Sequence, residues 1–395
     1  MMEPVFITAA EAACALGLGL RDCLASLHTR RGGLLPLGVR LGAEAGLVDF
    51  ATLPAGLLPA RTLLRGRRYG AAANAAVHLA RAAVRQAGWS GPKTCEAWLF
   101  AASSRGNVGE EAGSNAWRRP IRRFSASNSM HSEIAAAVSI ELGIRGPWQM
   151  ISNGCSSGLD ALGLAWMAVA GGLAPRALVV AVDLPFVPRL LRDFADTGLL
   201  SRNGVNDPFA LEGSGTATSG FLPGEGVVAV AVERSAGTSV RPLCRLERYF
   251  ANSDAYDALM IPPDGGGITD CVAGVWNAGD PRRVVALCPH ATGTLNHARA
   301  EPPALQRAMA GHPVPLLPLK PHTGHTLGAS GLLDVALLAG CMAGGTLPAV
   351  LPGLTPPACG LDLVESPLPL TSGDRVVKLA SGMGGHNAAV SLAVV

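Results

Sequence analysis

Asn153-Gly154-Cys155-Ser156-Ser157-Gly158 sets one cysteine in a glycine-framed turn, and the apolar run from Leu159 to Leu178 behind it reads as a helix. A thiol placed there lies at the positive end of the helix dipole, among unpaired backbone N–H groups, which favours the thiolate and offers donors to an oxyanion. On its own, such a cysteine is more simply a small buried residue of a tightly packed helix. Two histidines further along change that reading. His290, in Cys288-Pro289-His290-Ala291-Thr292-Gly293-Thr294, follows the strand-like run Arg283 to Leu287 and falls where a strand gives way to a small-residue loop. His325, in Lys320-Pro321-His322-Thr323-Gly324-His325-Thr326-Leu327-Gly328-Ala329-Ser330-Gly331, precedes a second glycine-rich entry into an apolar helix. Ser381-Gly382-Met383-Gly384-Gly385-His386-Asn387 adds a tight turn whose backbone can approach a ligand closely. A cysteine, two histidines and glycine turns in this order point to a nucleophile with imidazole partners.

Together these stretches resemble the β-ketoacyl-acyl carrier protein synthases, the condensing enzymes of fatty acid and polyketide synthesis, over nearly the whole chain. Cys155 matches the nucleophile of the A-C-S/A-S/T-G motif, His290 the histidine of H-G-T-G-T, Lys320 and His325 the K-S-x-x-G-H-x-x-G-A-A-G motif, and Gly382 to Asn387 the G-F-G-G-T/H-N turn. Pro208-Phe209 and Ser219-Gly220-Phe221-Leu222-Pro223-Gly224-Glu225-Gly226 look like the family's P-F-D and G-F-V-x-G-E-G elements. The resemblance implies an α/β protein with the thiolase-like layered αβαβα fold. It would have two pseudo-symmetric halves, residues 1–240 carrying the cysteine and 241–395 carrying both histidines, with the active site between them.

The activity so implied is decarboxylative Claisen condensation by an acyltransferase of the elongating type. Cys155 would accept the acyl group, because thiolates exchange thioesters at little net cost. His290 and His325 would aim N–H groups at the enolate oxygen formed when malonyl thioester loses carbon dioxide. Backbone N–H groups of Cys155 and Met383 would hold the oxyanion, and Thr292, Thr294, Phe194, Met383 and Gly384 would contact substrate. Lys320 would lie partly buried near His325, with Glu225 and Asp334 as its candidate partners. The implied partners are an acyl carrier protein and a second subunit, identical or a sister ketosynthase or chain-length factor. No cofactor is expected beyond the carrier's phosphopantetheine arm, and no metal.

Several positions depart from the family pattern. Ala291 stands for glycine, His297-Ala298 for Asn-Asp, Pro321 for serine, Asp334 for glutamate and Met383 for phenylalanine. None alters the three catalytic side chains, so the departures bear on the acyl substrate and suggest a specialised pathway. Met383, between Gly382 and Gly384, reads as a mobile gate facing the acylated cysteine, its flexible thioether admitting long, rigid or unsaturated chains. His297 and His322 read as loop or shell residues.

The elements that must position these residues alternate. Val5 to Thr8, Ala97 to Ala102, Ala177 to Val182, Val227 to Val232, Val284 to Leu287, Val376 to Ala380 and Ala388 to Val394 read as strands. Arg68 to Ala87, Ser132 to Leu142 and Gly328 to Ala343 read as helices, an alternation that implies an α/β architecture. With 395 residues, 49% hydrophobic and 15% charged, the chain has ample apolar material for a large core.

Nine cysteines, odd in number and without C-x-x-C spacing, imply neither a disulfide framework nor a zinc site. With the acidic start Met1-Met2-Glu3-Pro4 and a proline-broken apolar stretch from Val335 to Leu361, they predict a cytoplasmic protein without membrane insertion. No fused carrier or acyltransferase segment is visible. Arg61, Arg65, Arg67 and Arg68 form one basic cluster, and Arg118, Arg119, Arg122 and Arg123 another, in a chain of net charge +3. Beside a pantetheine tunnel they would steer an acidic carrier protein. Nucleic acid is disfavoured, since no recognition motif or interleaved aromatics accompany them. A chain-length factor shares the fold but normally lacks the cysteine. A degradative thiolase would carry a second cysteine near Met383, and an initiating synthase would use Cys-His-Asn.

Overall fold

Uninterrupted apolar stretches form the central strands, because helices cover both of their faces. The computed structural model describes residues 3–41, 46–66, 68–111, 125–211, 217–234, 240–276, 284–309 and 311–395. Nine strands make its main sheet: β1 Val5–Ala13, β2 Trp98–Ala102, β3 Trp148–Ile151, β4 Arg176–Asp183, β5 Gly226–Arg234, β6 Cys244–Ser253, β7 Val284–Cys288, β8 Arg375–Gly382 and β9 His386–Ala393. Their order is β3-β2-β4-β5-β1-β6-β9-β8-β7.

That order contains one topology twice. β2 runs parallel to β3 and β4, β4 antiparallel to β5, and β5 antiparallel to β1. In the second series β7 runs parallel to β8, β8 antiparallel to β9, and β9 antiparallel to β6. Leu316 bridges Leu287 of β7 in parallel, where β3 flanks β2 in the first series. The two series join through three residue pairs, from Val5 with Leu246 to Ile7 with Cys244.

Helices α1 Leu20–His28, α2 Ala71–Gln86, α3 Glu133–Leu142, α4 Ser157–Ala170, α5 Pro188–Asp196, α6 Gly266–Trp276, α7 Leu295–Ala308 and α8 Ser330–Ala343 complete the framework. α4 and α8 pack on each other between the two series, each entered through a 3-10 turn, Gly154–Ser156 and Leu327–Ala329. Glycine sits at their contact. A Cβ on Gly331 would fall 2.8 Å from Leu159 Cβ, and one on Gly158 3.0 Å from Leu332 Cβ. Outside them α2 and α3 cover the first series, and α6 and α7 the second. In β4, Ala177, Val179 and Ala181 face the central layer while Leu178, Val180 and Val182 face the outer helices. This is the layered αβαβα arrangement.

Differences from the sequence reading are local. The apolar run after Cys155 is not one helix: α4 ends at Ala170, Gly171-Gly172 turns the chain, and Leu178 lies in β4. β1 extends to Ala13 through a bulge between Ile7 and Ala9. β3, β6, α1, α5, α6 and α7 had no sequence counterpart. β6 carries Arg245, Glu247 and Arg248 among its apolar residues, and α7 holds Pro302 and Pro303 inside the helix. Among the described residues no helix is long and apolar enough to cross a membrane.

Candidate active site

Cys155 sits in the 3-10 turn that opens α4, its residue 7% exposed. Gly154 reaches φ +61 there, and a Cβ on it would lie 3.3 Å from the Met383 carbonyl oxygen. Side chains of α4 fasten the turn. Asp160 accepts from Asn153 Nδ2 at 3.0 Å, from Ser156 Oγ at 3.1 Å and from Tyr249 of β6 at 2.7 Å. His386 Nε2 lies 2.9 Å from the same carboxylate, which raises the pKa of that imidazole.

His325 follows a short helical turn, Lys320–Thr323, and Gly324 at φ +74. Its backbone is held from both sides, donating to Leu222 O at 2.7 Å and accepting from Gly224 N–H at 3.0 Å. The ring meets Phe221 edge-on at 5.3 Å, and Nε2 lies 3.1 Å from Cys155 Sγ. His290 follows β7, its ring centroid 5.4 Å from that of His325. Glu301 of α7 accepts the N–H groups of His290 at 2.5 Å and Ala291 at 2.8 Å, while Lys378 Nζ donates to Pro289 O at 2.9 Å. Lys320 Nζ donates to the His290 carbonyl. This clamp holds Ala291 at φ +46, a left-handed backbone that suits the family's glycine better.

Burial, with the Lys320 charge, keeps both imidazoles well below their usual range and therefore neutral. Nδ1 of each ring is buried without a hydrogen-bond partner. Each proton is accordingly assigned to Nε2, the edge turned toward the sulfur or the cavity. The expected resting thiolate is corrected: burial pushes the Cys155 thiol up to about 12, against the opposing pull of Lys320, Arg105 and the Met383 backbone N–H. Desolvation outweighs the short helix end. Lys320 is itself held at about 8 by burial and by Lys378.

A cavity of about 1070 Å³, including its open mouth, joins these groups. Cys155, His290, His325, Phe194, Thr292, Thr294 and Met383 line it, whereas Gly384 is exposed and lies outside. Phe194 packs edge-on to Phe221 at 5.1 Å. His297 is the second correction: it is no shell residue but lines the cavity on α7, 5.0 Å from the His290 ring. His322 does stand apart, its Nδ1 3.1 Å from Arg31 O. Of the two partners expected for Lys320, Asp334 lies 3.9 Å away, but Glu225 pairs with Arg61 at 2.6 Å. Met383 is held, not loose: the Gly384 N–H after it donates to Ala258 O at 3.0 Å.

Glu301, Lys378, Asp160 and Asp183 went unnoticed in the sequence. Asp183 accepts from Ser103, Ser104, Arg105 and Gly328, tying the ends of β2 and β4 to the entry of α8. Of the arginines expected to meet a carrier protein, Arg65 is exposed and Arg68 pairs with Glu141. Arg67, Arg118, Arg119, Arg122 and Arg123 lie outside the described residues.

The profile of "Beta-ketoacyl synthase, N-terminal domain" matches residues 65–237, and that of "Beta-ketoacyl synthase, C-terminal domain" residues 243–353. A "Putative polyketide beta-ketoacyl synthase 1" of Streptomyces cyaneus is 29% identical over 271 residues, 66% of this chain and 64% of that protein. The "Tetracenomycin polyketide synthase ketoacyl synthase alpha subunit" of Streptomyces glaucescens is 28% identical over 272 residues, 66% and 63% of the two chains. The alignments thus span a little under two thirds of these relatives. Among solved structures, "The ishigamide ketosynthase/chain length factor" superposes with a TM-score of 0.86 at 20% identity over 100% of both chains. "AntDE:AntF (apo): type II PKS acyl-carrier protein in complex with its ketosynthase bound to the hexaketide" does so at 0.84 and 21%, again over 100% of both. Both show the fold.

Proposed function

The chain belongs to the β-ketoacyl synthase family, and on that footing we propose that it joins an acyl thioester to a malonyl unit as a ketosynthase of the polyketide type. The observation that carries this reading is Cys155 Sγ, 3.1 Å from His325 Nε2, opening on one cavity with His290. Cys155 Sγ attacks the acyl thioester, the bond to the donor sulfur breaks, and the thiol proton leaves with that sulfur. N–H groups of Cys155 and Met383 take the oxyanion. Malonyl thioester then loses carbon dioxide, and the electron pair of the broken C–C bond forms an enolate whose oxygen accepts from His290 and His325. The enolate carbon attacks the acyl carbonyl, a C–C bond forms, the bond to Cys155 breaks, and the sulfur takes one proton from solvent. Acyl thioester, malonyl thioester and a proton give β-ketoacyl thioester, carbon dioxide and thiol. These steps balance without a metal, redox or organic cofactor beyond the arm that carries the thioesters.

Lys320 positions His290 through its carbonyl, and Phe194, Thr292 and Thr294 contact the substrate. An acyl carrier protein is the proposed donor, docking near Arg65, Arg67, Arg68, Arg118, Arg119, Arg122 and Arg123, in the cytoplasm. The solved complex of a ketosynthase with its carrier supports that partner. Pairing with an identical or sister subunit is supported by β3, which ends the sheet with Trp148 exposed. The presence of Cys155 weighs against a chain-length factor. In the test, Cys155→Ala should lose the acyl adduct seen by intact mass while remaining folded. His290→Ala and His325→Ala should still acylate but lose condensation by on the order of 10²-fold or more. An adduct that persists in Cys155→Ala sinks the nucleophile, and unchanged turnover removes the histidine concerned.

A further inference from the structure

His297 stands beside the catalytic pair without a task in the mechanism above. Its ring lines the same cavity, 5.0 Å from the His290 ring and tilted by 58°. Nδ1 faces the protein, 3.9 Å from Glu301 Oε2 and without a hydrogen bond. That separation is too long for a hydrogen bond, and Glu301 already accepts the His290 and Ala291 N–H groups, so a ligand acceptor in the cavity can draw the ring's N–H to Nε2. The lining joins the apolar Leu259, Ile261 and Leu295 with Thr292, Thr294 and Asn296. A third imidazole edge thus enters the chamber beside the catalytic pair, where a ligand acceptor can take its N–H.

We propose that His297 holds the carboxylate of the incoming malonyl unit, a reading that rests on the condensing activity proposed above. In a malonyl thioester a single methylene separates the carboxylate from the thioester carbonyl. With that carbonyl oxygen taken by His290 and His325, the carboxylate comes next to it, on the side of the adjoining third imidazole. The charge state suits the task. Burial, with Lys320, holds His297 at about 4, so it is neutral at physiological pH. A full cation would bind the carboxylate more tightly than the transition state, where charge has moved to the enolate, and would slow decarboxylation. A neutral N–H turns the carboxylate so that the breaking C–C bond stands across the plane of the carbonyl, yet releases carbon dioxide easily. His297 is thus a specificity-determining residue for extender units with a free carboxylate.

To test this, wild type, His297→Ala and His297→Gln are saturated with an acyl N-acetylcysteamine thioester and titrated with malonyl-pantetheine. Intact mass follows Cys155 acylation, and product formation separates KM from kcat. Acylation should be equal in all three. KM for malonyl-pantetheine should rise about tenfold or more in His297→Ala, the scale of one lost hydrogen bond to a charged group. His297→Gln, whose amide restores a donor, should recover most of the loss. Acetyl-pantetheine, which lacks the carboxylate, should inhibit the acylated wild type and His297→Ala equally. An unchanged KM in His297→Ala, equal losses in both variants, or lost acylation in either overturns the inference. A wild type that does not acylate Cys155 overturns the condensing activity instead.

Discussion

Among the side chains proposed to be catalytic, burial sets the charge state. His290, His325 and Cys155 are all uncharged at rest, so the chamber holds donors and a thiol in place of an ion pair. That arrangement suits a reaction whose charge appears on substrate oxygen, since preorganised neutral donors stabilise it without being attracted to one another beforehand. Met383 borders this chamber and packs against the cluster containing Phe194, Phe221 and Leu327. Replacing its flexible thioether by a planar ring should restrict the shapes that fit. Met383→Phe is therefore expected to narrow the acyl range while short-chain acylation of Cys155 stays nearly intact. Competition among saturated, polyunsaturated and aryl-capped thioesters measures this, and an identical ranking and rate in both proteins would reduce Met383 to packing.

The element that matters most is α4, because the turn that opens it carries Cys155 and another face rests on β6. Gly163 makes that contact possible: a Cβ there would fall 2.2 Å from the Tyr249 ring. Tyr249 in turn donates to Asp160, which holds Asn153 and Ser156 beside Cys155. Gly163→Ala should therefore act twice. Overpacking costs about 1–3 kcal/mol, read as a lower denaturant midpoint, and the displaced Tyr249 should slow Cys155 acylation. A variant with wild-type midpoint and acylation rate would show that the helix yields without cost. On the other side of the site, α7 works similarly. Glu301 from this helix holds the His290 backbone, and His297 from the same helix enters the cavity.

At the scale of the whole molecule, the buried titratable groups set a pH window for stability. His290, His297 and His325 are held below the ordinary 6.5, so below that pH the unfolded chain binds protons that the folded chain refuses. Their contribution is full above 6.5 and lost as pH falls. Cys155, Cys288 and Cys341 are pushed by burial from 9.0 up to about 12, so their contribution is full below 9 and lost as pH rises. Lys320, held at about 8, opposes the alkaline limb, and Asp183 and Glu301, raised by burial, oppose the acid limb, while His386, raised beside Asp160, loses its contribution as pH rises above 6.5. Thermal unfolding should give a plateau of Tm between about pH 6.5 and 9, with the alkaline limb shallower in Cys288→Ala. A Tm still flat at about pH 11 contradicts this.

Cys155, His290, His325 and the Gly382–Gly385 turn were legible in the sequence because each is marked by its immediate neighbours, a strand end or glycine turn that forms locally. The alternation of strands and helices was legible for the same reason, since apolar periodicity is a short-range signal. Glu301, Lys378 and Asp160 read as ordinary charged residues, because what they do depends on a partner brought up only by folding, as Lys378 reaches Pro289 across the sheet. Glu225 and Asp334 looked equivalent as partners for Lys320 until packing gave the first to Arg61 and set the second 2.6 Å from Lys378, with Lys320 3.9 Å away. His297 entered the chamber because α7 turned it inward, through two prolines that had hidden the helix. Whether Cys155 carries a proton was likewise left to the tertiary structure, because desolvation depends on everything packed around the sulfur and on no single neighbour in sequence.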